Sequence, residues 1–330
     1  MKTKIIYTLV SNDSDYYLEQ LYISIYSFRI YHKKDTAILI TDTDTYKNLN
    51  RKRKCIIKYF SEIKVIDIPA HYNNVQKSRF LKTQLRKYIN GDYLFIDTDT
   101  IICENLTQID NLSYEMAAIA DSNDHLNVNH NDSWIINKSN LIGWSIINKP
   151  HFNSGVMYVK DTPRTHKFYE TWHNLWLICI SHGINIDQLS LIKTNEKYHY
   201  PIKEISPIWN FQIKRHSTII NQRHDIKIIH YFTSDKLSIN YIFDNPITYN
   251  RIKRNADIPK DIIEHIHNPL YAFDNSHEII NLYKSQIYNT KLYHLFLYYP
   301  KIFKILENIA TVYLYLRTHV GRIKYALCNK

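Results

Sequence analysis

From Ile5 to Ile96 the chain repeats one unit: a short apolar run, then a segment with apolar positions at helical spacing. Ile5–Val10, Ala37–Ile40, Lys64–Ile68 and Tyr93–Ile96 are predicted strands; Tyr16–Tyr31, Lys47–Phe60 and Arg79–Ile89 are predicted helices. Asn90-Gly91 is the expected stop of the last helix, because both residues tolerate the left-handed conformation that ends one. Strands joined through helices run parallel, so the expected fold is α/β, a mostly parallel Rossmann-like sheet with helices on both faces. Ligands of such sheets sit beyond the carboxyl ends of the strands. Met116–Ala120, Val156–Val159 and Ile226–His230 read as further strands, and Thr162-Pro163 starts a helix running to about Ser181. After residue 255 the sequence turns helical, Tyr-rich and basic, which predicts an α/β domain over 1–255 and a helical extension over 256–330.

Only five glycines occur in 330 residues, and they are too scattered for either a GxGxxG turn or a Walker A loop. Bound phosphates would therefore need a metal or cationic side chains. With 45% hydrophobic residues the chain has ample material for a core. A formal charge of +11 favours anionic partners. Much of that surplus lies in 291–330, where seven Lys and Arg face Glu307 alone. The basic run Lys47–Lys58 reads as a solvated helix face, and no nucleic-acid partner is expected. Cys55, Cys103, Cys179 and Cys328 form no CxxC pair, which argues against a zinc ribbon or a disulfide framework. Ile5–Val10 is too short for a signal sequence, and no run reaches about 18 apolar residues, so the expected location is cytoplasmic.

The chemistry starts at DYLFIDTDTII, where Asp97 and Asp99 follow an apolar strand and can converge on one hard cation. Asp42 and Asp44 in AILITDTDTY have the same spacing after another strand, so spacing alone does not choose between them. A strand followed by DTDT is also similar to the first motif of haloacid-dehalogenase-type phosphatases, with Asp97 as nucleophile and Asp99 as acid. That alternative needs an acidic metal pair after a later strand, and residues 150–330 offer none.

The ordered motifs over residues 1–240 resemble glycosyltransferase family 8, retaining enzymes of the GT-A fold. The resemblance implies donor contacts from Arg79 and Lys82 on the helix before DTDT, a metal on Asp97 and Asp99 with Thr98 beside the donor, and Asp121 in AAIAD on donor-sugar hydroxyls. HFNSGV supplies Asn153 and Ser154 for donor binding, and INIDQL supplies Asp187 and Gln188 near the reacting carbon. IIHYFTSDK supplies His230 as third metal ligand and Lys236 on phosphate, six residues apart as in the family. TLVSNDSDY corresponds to the nucleoside-binding stretch, with Thr8, Val10 and Ser11. This chain departs from the family at Thr233, where a glycine is usual, and at Leu237-Ser238, where Pro-Trp is usual.

The resemblance thus implies a transferase that uses Mn2+ or Mg2+ and a nucleotide-sugar, UDP-linked by expectation. Its acceptor would be a saccharide or lipid-linked saccharide in bacterial surface polysaccharide synthesis. A non-catalytic carbohydrate-binding protein on the same fold is the other alternative. In the tail, Ile302, Ile305, Leu306, Ile309, Val312, Tyr313 and Leu316 recur at helical spacing among Lys301, Lys304, Arg317, Arg322 and Lys324. Such a helix suits the headgroup region of an anionic membrane, which would make the protein peripheral on the inner face, or else packs on protein. Trp172 and Trp176, four apart on a helix, read as core.

Overall fold

The computed structural model describes residues 1–52, 54–121, 133–213, 225–231, 241–269 and 272, and beyond these 299, 301–302, 305–306, 308–310, 312–313 and 315–316. The first half runs β1 (Lys4–Leu9), α1 (Tyr17–Tyr31), β2 (Ala37–Asp42), α2 (Thr43–Lys52), α3 (Lys54–Ile57), β3 (Glu62–Ile66), α4 (Asn74–Thr83), α5 (Leu85–Tyr88) and β4 (Tyr93–Ile96). There follow β5 (Thr100–Ile102), β6 (Met116–Ala120), α6 (Ser133–Leu141), β7 (Phe152–Val159), α7 (Pro163–Ser181), α8 (Gln188–Lys197), β8 (Ile202–Glu204), β9 (Phe211–Gln212), β10 (Ile228–His230), α9 (Pro246–Asn255) and α10 (Lys260–His267).

Seven strands form one sheet in the order β3-β2-β1-β4-β7-β6-β8. The pairs β1–β2, β2–β3, β1–β4 and β6–β8 are parallel, and β7 alone runs against its neighbours β4 and β6. The chain moves one way from β1 to β2 and β3, then returns to place β4 on the other side of β1. That reversal opens a crevice at the carboxyl ends of β1 and β4. Strands buried on both faces read as unbroken apolar runs, which is how Tyr93–Ile96 of β4 stood out in the sequence as Tyr-Leu-Phe-Ile. One core contains Ile6, Leu81, Leu85, Phe95, Phe168 and Trp172, filling the space between the sheet and helices α4 and α7. Trp172 and Trp176 are both fully buried, as their spacing implied.

Several elements differ from their sequence-based boundaries for local reasons. The helix expected over 47–60 starts at Thr43, because the Asp42 carboxylate accepts the backbone N–H of Thr45, and it is divided into α2 and α3. The helix expected from Arg79 starts at Asn74, where Asn73 and Gln76 form a reciprocal capping box, and it breaks at Gln84. Thr162 caps α7 with Pro163 in its first turn, as read. The strand ending at His230 belongs to a separate three-stranded sheet, β5-β10-β9, where β10 pairs antiparallel with β5.

A first compact unit spans Met1–Ser276. The boundary expected at 255 therefore falls inside it, between α9 and α10, where Ala256 takes a left-handed φ of 51°. Ile262 and Ile266 of α10 are fully buried, so α10 belongs to this core. His277–Lys330 forms a second unit. Its described residues between Lys301 and Leu316 are helical, with Ile302, Ile305, Ile309, Val312 and Leu316 exposed. No helix among the described residues is long and apolar enough to cross a membrane.

Candidate functional site

Asp97 lies one residue past β4, and its backbone N–H donates to the Gly155 carbonyl of the neighbouring β7 at 2.7 Å. The chain then turns, with the Thr100 hydroxyl donating back to the Asp97 carbonyl at 2.9 Å, and enters β5. Register does the rest: Thr100 is paired with His230 across β5 and β10, and the Tyr231 N–H donates to the Asp99 carbonyl. One ligand atom each from Asp97, Asp99 and His230 lie within 4.8 Å of one another, and Nε2 of His230 is 3.1 Å from Oδ1 of Asp99. Two carboxylate oxygens and one imidazole nitrogen fit a borderline-hard divalent cation such as Mn2+, or Mg2+.

The other string of the same spacing has a different use. Asp42 is 4% exposed, with one oxygen on the first turn of α2 and the other 3.1 Å from Nζ of Lys77. Asp44 is exposed, and its oxygen is 3.4 Å from the same Lys77 ammonium. This pair anchors a helix to its neighbour, and among the described residues no imidazole joins it.

Beside Asp97, Asp99 and His230 stands a buried ion cluster. Nζ of Lys82, 3% exposed, donates to both oxygens of Asp97 at 3.1 and 3.0 Å and lies 3.7 Å from Asp187. Nε of Arg79 is 3.1 Å from Oδ1 of Asp187 without the alignment of a hydrogen bond, and the Ser154 hydroxyl donates to Oδ2 at 2.9 Å. Burial pushes the Asp187 carboxyl up, but Lys82, Arg79 and the Ser154 bond outweigh it and hold its pKa below the ordinary value. Burial likewise disfavours the Arg79 charge, and Asp187, Asp97 and Asp99 overcome it, raising the pKa. Burial opposes the Asp99 charge too, and the adjacent His230 leads the groups that keep its pKa low. Asp187 precedes α8 in the helix-cap position yet makes no capping bond; its carboxylate belongs to the cluster.

These groups line a cleft of about 420 Å3 at the carboxyl ends of β1 and β4. Of the residues expected from sequence, Thr8, Val10, Arg79, Lys82, Asp97, Thr98 and Asp99 face it, as do Asn153, Ser154, Asp187, Gln188 and His230. Two lie off its lining. Ser11 is turned toward Asp15 and Thr45, and Asp121 stands behind Asn153, whose amide donates to it at 3.2 Å. Lys236 and Thr233 lie outside the described residues. Tyr17, Gln20 and Ser78 also line the cleft, and Asn210 is buried against His230 at 3.0 Å. Helix periodicity could have found the first three, on the same faces as the starts of α1 and α4; the IWNF context of Asn210 carries no motif.

Residues 34–176 match the family described as nucleotide-diphospho-sugar transferases. No curated protein matches the chain. Among solved structures, the galactosyltransferase LgtC in complex with donor and acceptor sugar analogs is 14% identical, with a TM-score of 0.51 over 79% of this chain and 99% of that one. Mouse xyloside xylosyltransferase 1 is 12% identical, with a TM-score of 0.47 over 70% of this chain and 97% of that one. The similarity to LgtC is one of fold.

Proposed function

We propose that this protein, a glycosyltransferase of GT-A fold, is a metal-dependent retaining enzyme of the family 8 type. It would move a sugar from a UDP-linked donor to a saccharide or lipid-linked saccharide in bacterial surface polysaccharide synthesis. The observation that carries the metal dependence is the charge at the cleft floor. Among the described residues lining the cleft, three carboxylates, Asp97, Asp99 and Asp187, meet two cations, Arg79 and Lys82, a balance of −1 where a nucleoside diphosphate has to bind. Asp97, Asp99 and His230 would hold a divalent cation, which would reverse that sign and supply Lewis-acid stabilisation of the departing diphosphate.

The chain's own side chains divide the remaining work. Arg79, one-third exposed at the cleft, offers a guanidinium that can fork onto phosphate. Lys82 is occupied by Asp97 and orients that carboxylate. Asp187 is ion-paired with Arg79 and accepts from Ser154, and is assigned to shaping the charge around the anomeric carbon. Same-face attack by the acceptor, with its proton passing to the departing phosphate, fits this arrangement. Asp121, steadied by Asn153, is assigned to sugar hydroxyls, Gln188 to the reacting sugar, and Lys236 to phosphate.

The tail over 291–330 is assigned to an anionic membrane surface, where its exposed apolar residues enter the headgroup region and its surplus cations meet lipid phosphate. The decisive experiment is a panel of nucleotide-sugars assayed for hydrolysis with and without Mn2+, alongside thermal stabilisation by UDP. Metal-dependent turnover and stabilisation are expected; UDP that stabilises equally in excess chelator would overturn the metal-dependent reading.

A further inference from the structure

Asn210 follows the 3-10 turn Pro207–Trp209, has no exposed surface, and stands between His230 and Asn153. Four polar groups form one continuous chain there: Nδ1 of His230 is 3.0 Å from Oδ1 of Asn210, Nδ2 of Asn210 is 3.0 Å from Oδ1 of Asn153, and Nδ2 of Asn153 is 3.2 Å from Oδ1 of Asp121. The direction of this chain is not free. The backbone N–H of Gly155 can only donate, and it donates to Oδ1 of Asn153 at 2.9 Å. Oδ1 of Asn153 is therefore an acceptor, so Asn210 must present its NH2 to it. Oδ1 of Asn210 then faces the imidazole and accepts from Nδ1–H. At the far end the Asn153 NH2 meets a carboxylate, which accepts, as the same direction requires.

We infer that Asn210 is a positioning residue: it accepts from Nδ1–H of His230 and fixes the ring plane, so that Nε2 faces Asp99 and is the atom that would be offered to a cation. Through Asn153 the same chain ties the metal end of the site to Asp121, the residue assigned to the donor sugar. This rests on the metal reading above. A ligating histidine needs its other nitrogen committed to a partner, and loss of such a partner typically costs 10–100-fold in metal affinity. The ring cannot rotate freely to compensate, because Gly155 packs against it so closely that an added Cβ would lie 2.2 Å from Cε1.

The test starts with the unmodified protein. With 15N-labelled histidine, a long-range proton–nitrogen spectrum reports which ring nitrogens carry a proton, and His230→Gln identifies the signal by its loss. A protonated Nδ1 is expected in metal-free protein; an unprotonated Nδ1 would overturn the role of Asn210. Mn2+ binding followed by electron paramagnetic resonance supplies the second arm. Asn210→Ala is expected to weaken Mn2+ binding by about 10–100-fold. Asn210→Asp, which keeps an acceptor toward Nδ1, is expected to bind Mn2+ within a few-fold of wild type while the donor KM rises, because the link to Asn153 is lost. Unchanged Mn2+ affinity in Asn210→Ala would also remove the proposal. Wild-type protein that binds no Mn2+ would instead remove the metal reading on which it stands.

Discussion

Gly155 and His230 approach so closely that a Cβ built on Gly155 would stand 2.2 Å from Cε1 and 2.8 Å from Nδ1 of the imidazole. The glycine is needed for space at the place where the main sheet meets the small one. Gly155→Ala should displace His230, lowering Mn2+ affinity by at least about tenfold and stability by about 1–3 kcal/mol. A Mn2+ titration with urea unfolding checks this; wild-type affinity would show that His230 is not a ligand.

The two DTDT strings should respond differently to the same substitution. Asp97→Asn or Asp99→Asn should reduce metal-dependent UDP release by roughly 100-fold or more, since on the proposed function each would remove a ligand to the ion that stabilises the leaving group. Asp44→Asn should leave release nearly intact. Asp42→Asn should cost about 1 kcal/mol of stability through the start of α2, with its metal dependence retained. Equal losses at both strings would place the metal elsewhere.

Ser154 should be felt in acid. Its hydrogen bond to the Asp187 carboxylate helps hold that pKa below the ordinary 3.8. A carboxyl with a lowered folded pKa contributes its full stability above the unfolded value, and the contribution fades as pH falls through the folded one. Ser154→Ala should therefore lower stability at pH 7 by about 1.5–3 kcal/mol, and the gap to wild type should narrow below pH 3.8. Thermal unfolding across pH 2–7 would read the difference. A gap that widens on acidification has the wrong sign for this account.

The tail makes a prediction about surfaces. Replacing Lys301, Lys304 and Arg317 with Glu should abolish salt-sensitive binding to vesicles containing anionic lipid while nucleotide-sugar hydrolysis in solution persists, each cation being worth about 1 kcal/mol near such a surface. Vesicle binding unchanged by the three substitutions would turn the assignment toward packing on protein.

Sequence alone determined most of the elements and the residue types that gather at the cleft. Strands buried on both faces favour apolar residues, so β1, β2 and β4 were legible as apolar runs, and Thr162-Pro163 and Asn90-Gly91 punctuated the chain through backbone preferences that act over a few residues. Asp97, Asp99 and His230 were legible because their types and order suit a metal. What local spacing left undecided was which DTDT string meets an imidazole, since Asp42 and Asp97 look alike locally and only the family resemblance favoured Asp97 and Asp99. The tertiary structure decided it: β10 pairs with β5 and brings His230, 131 residues away, against Asp99, whereas Asp42 is committed to α2 and Lys77. Asn210, the engagement of both Asp187 oxygens and the displacement of Asp121 from the cleft lining were invisible for the same reason. Each depends on contacts between residues far apart in the chain, which local propensity and spacing do not encode.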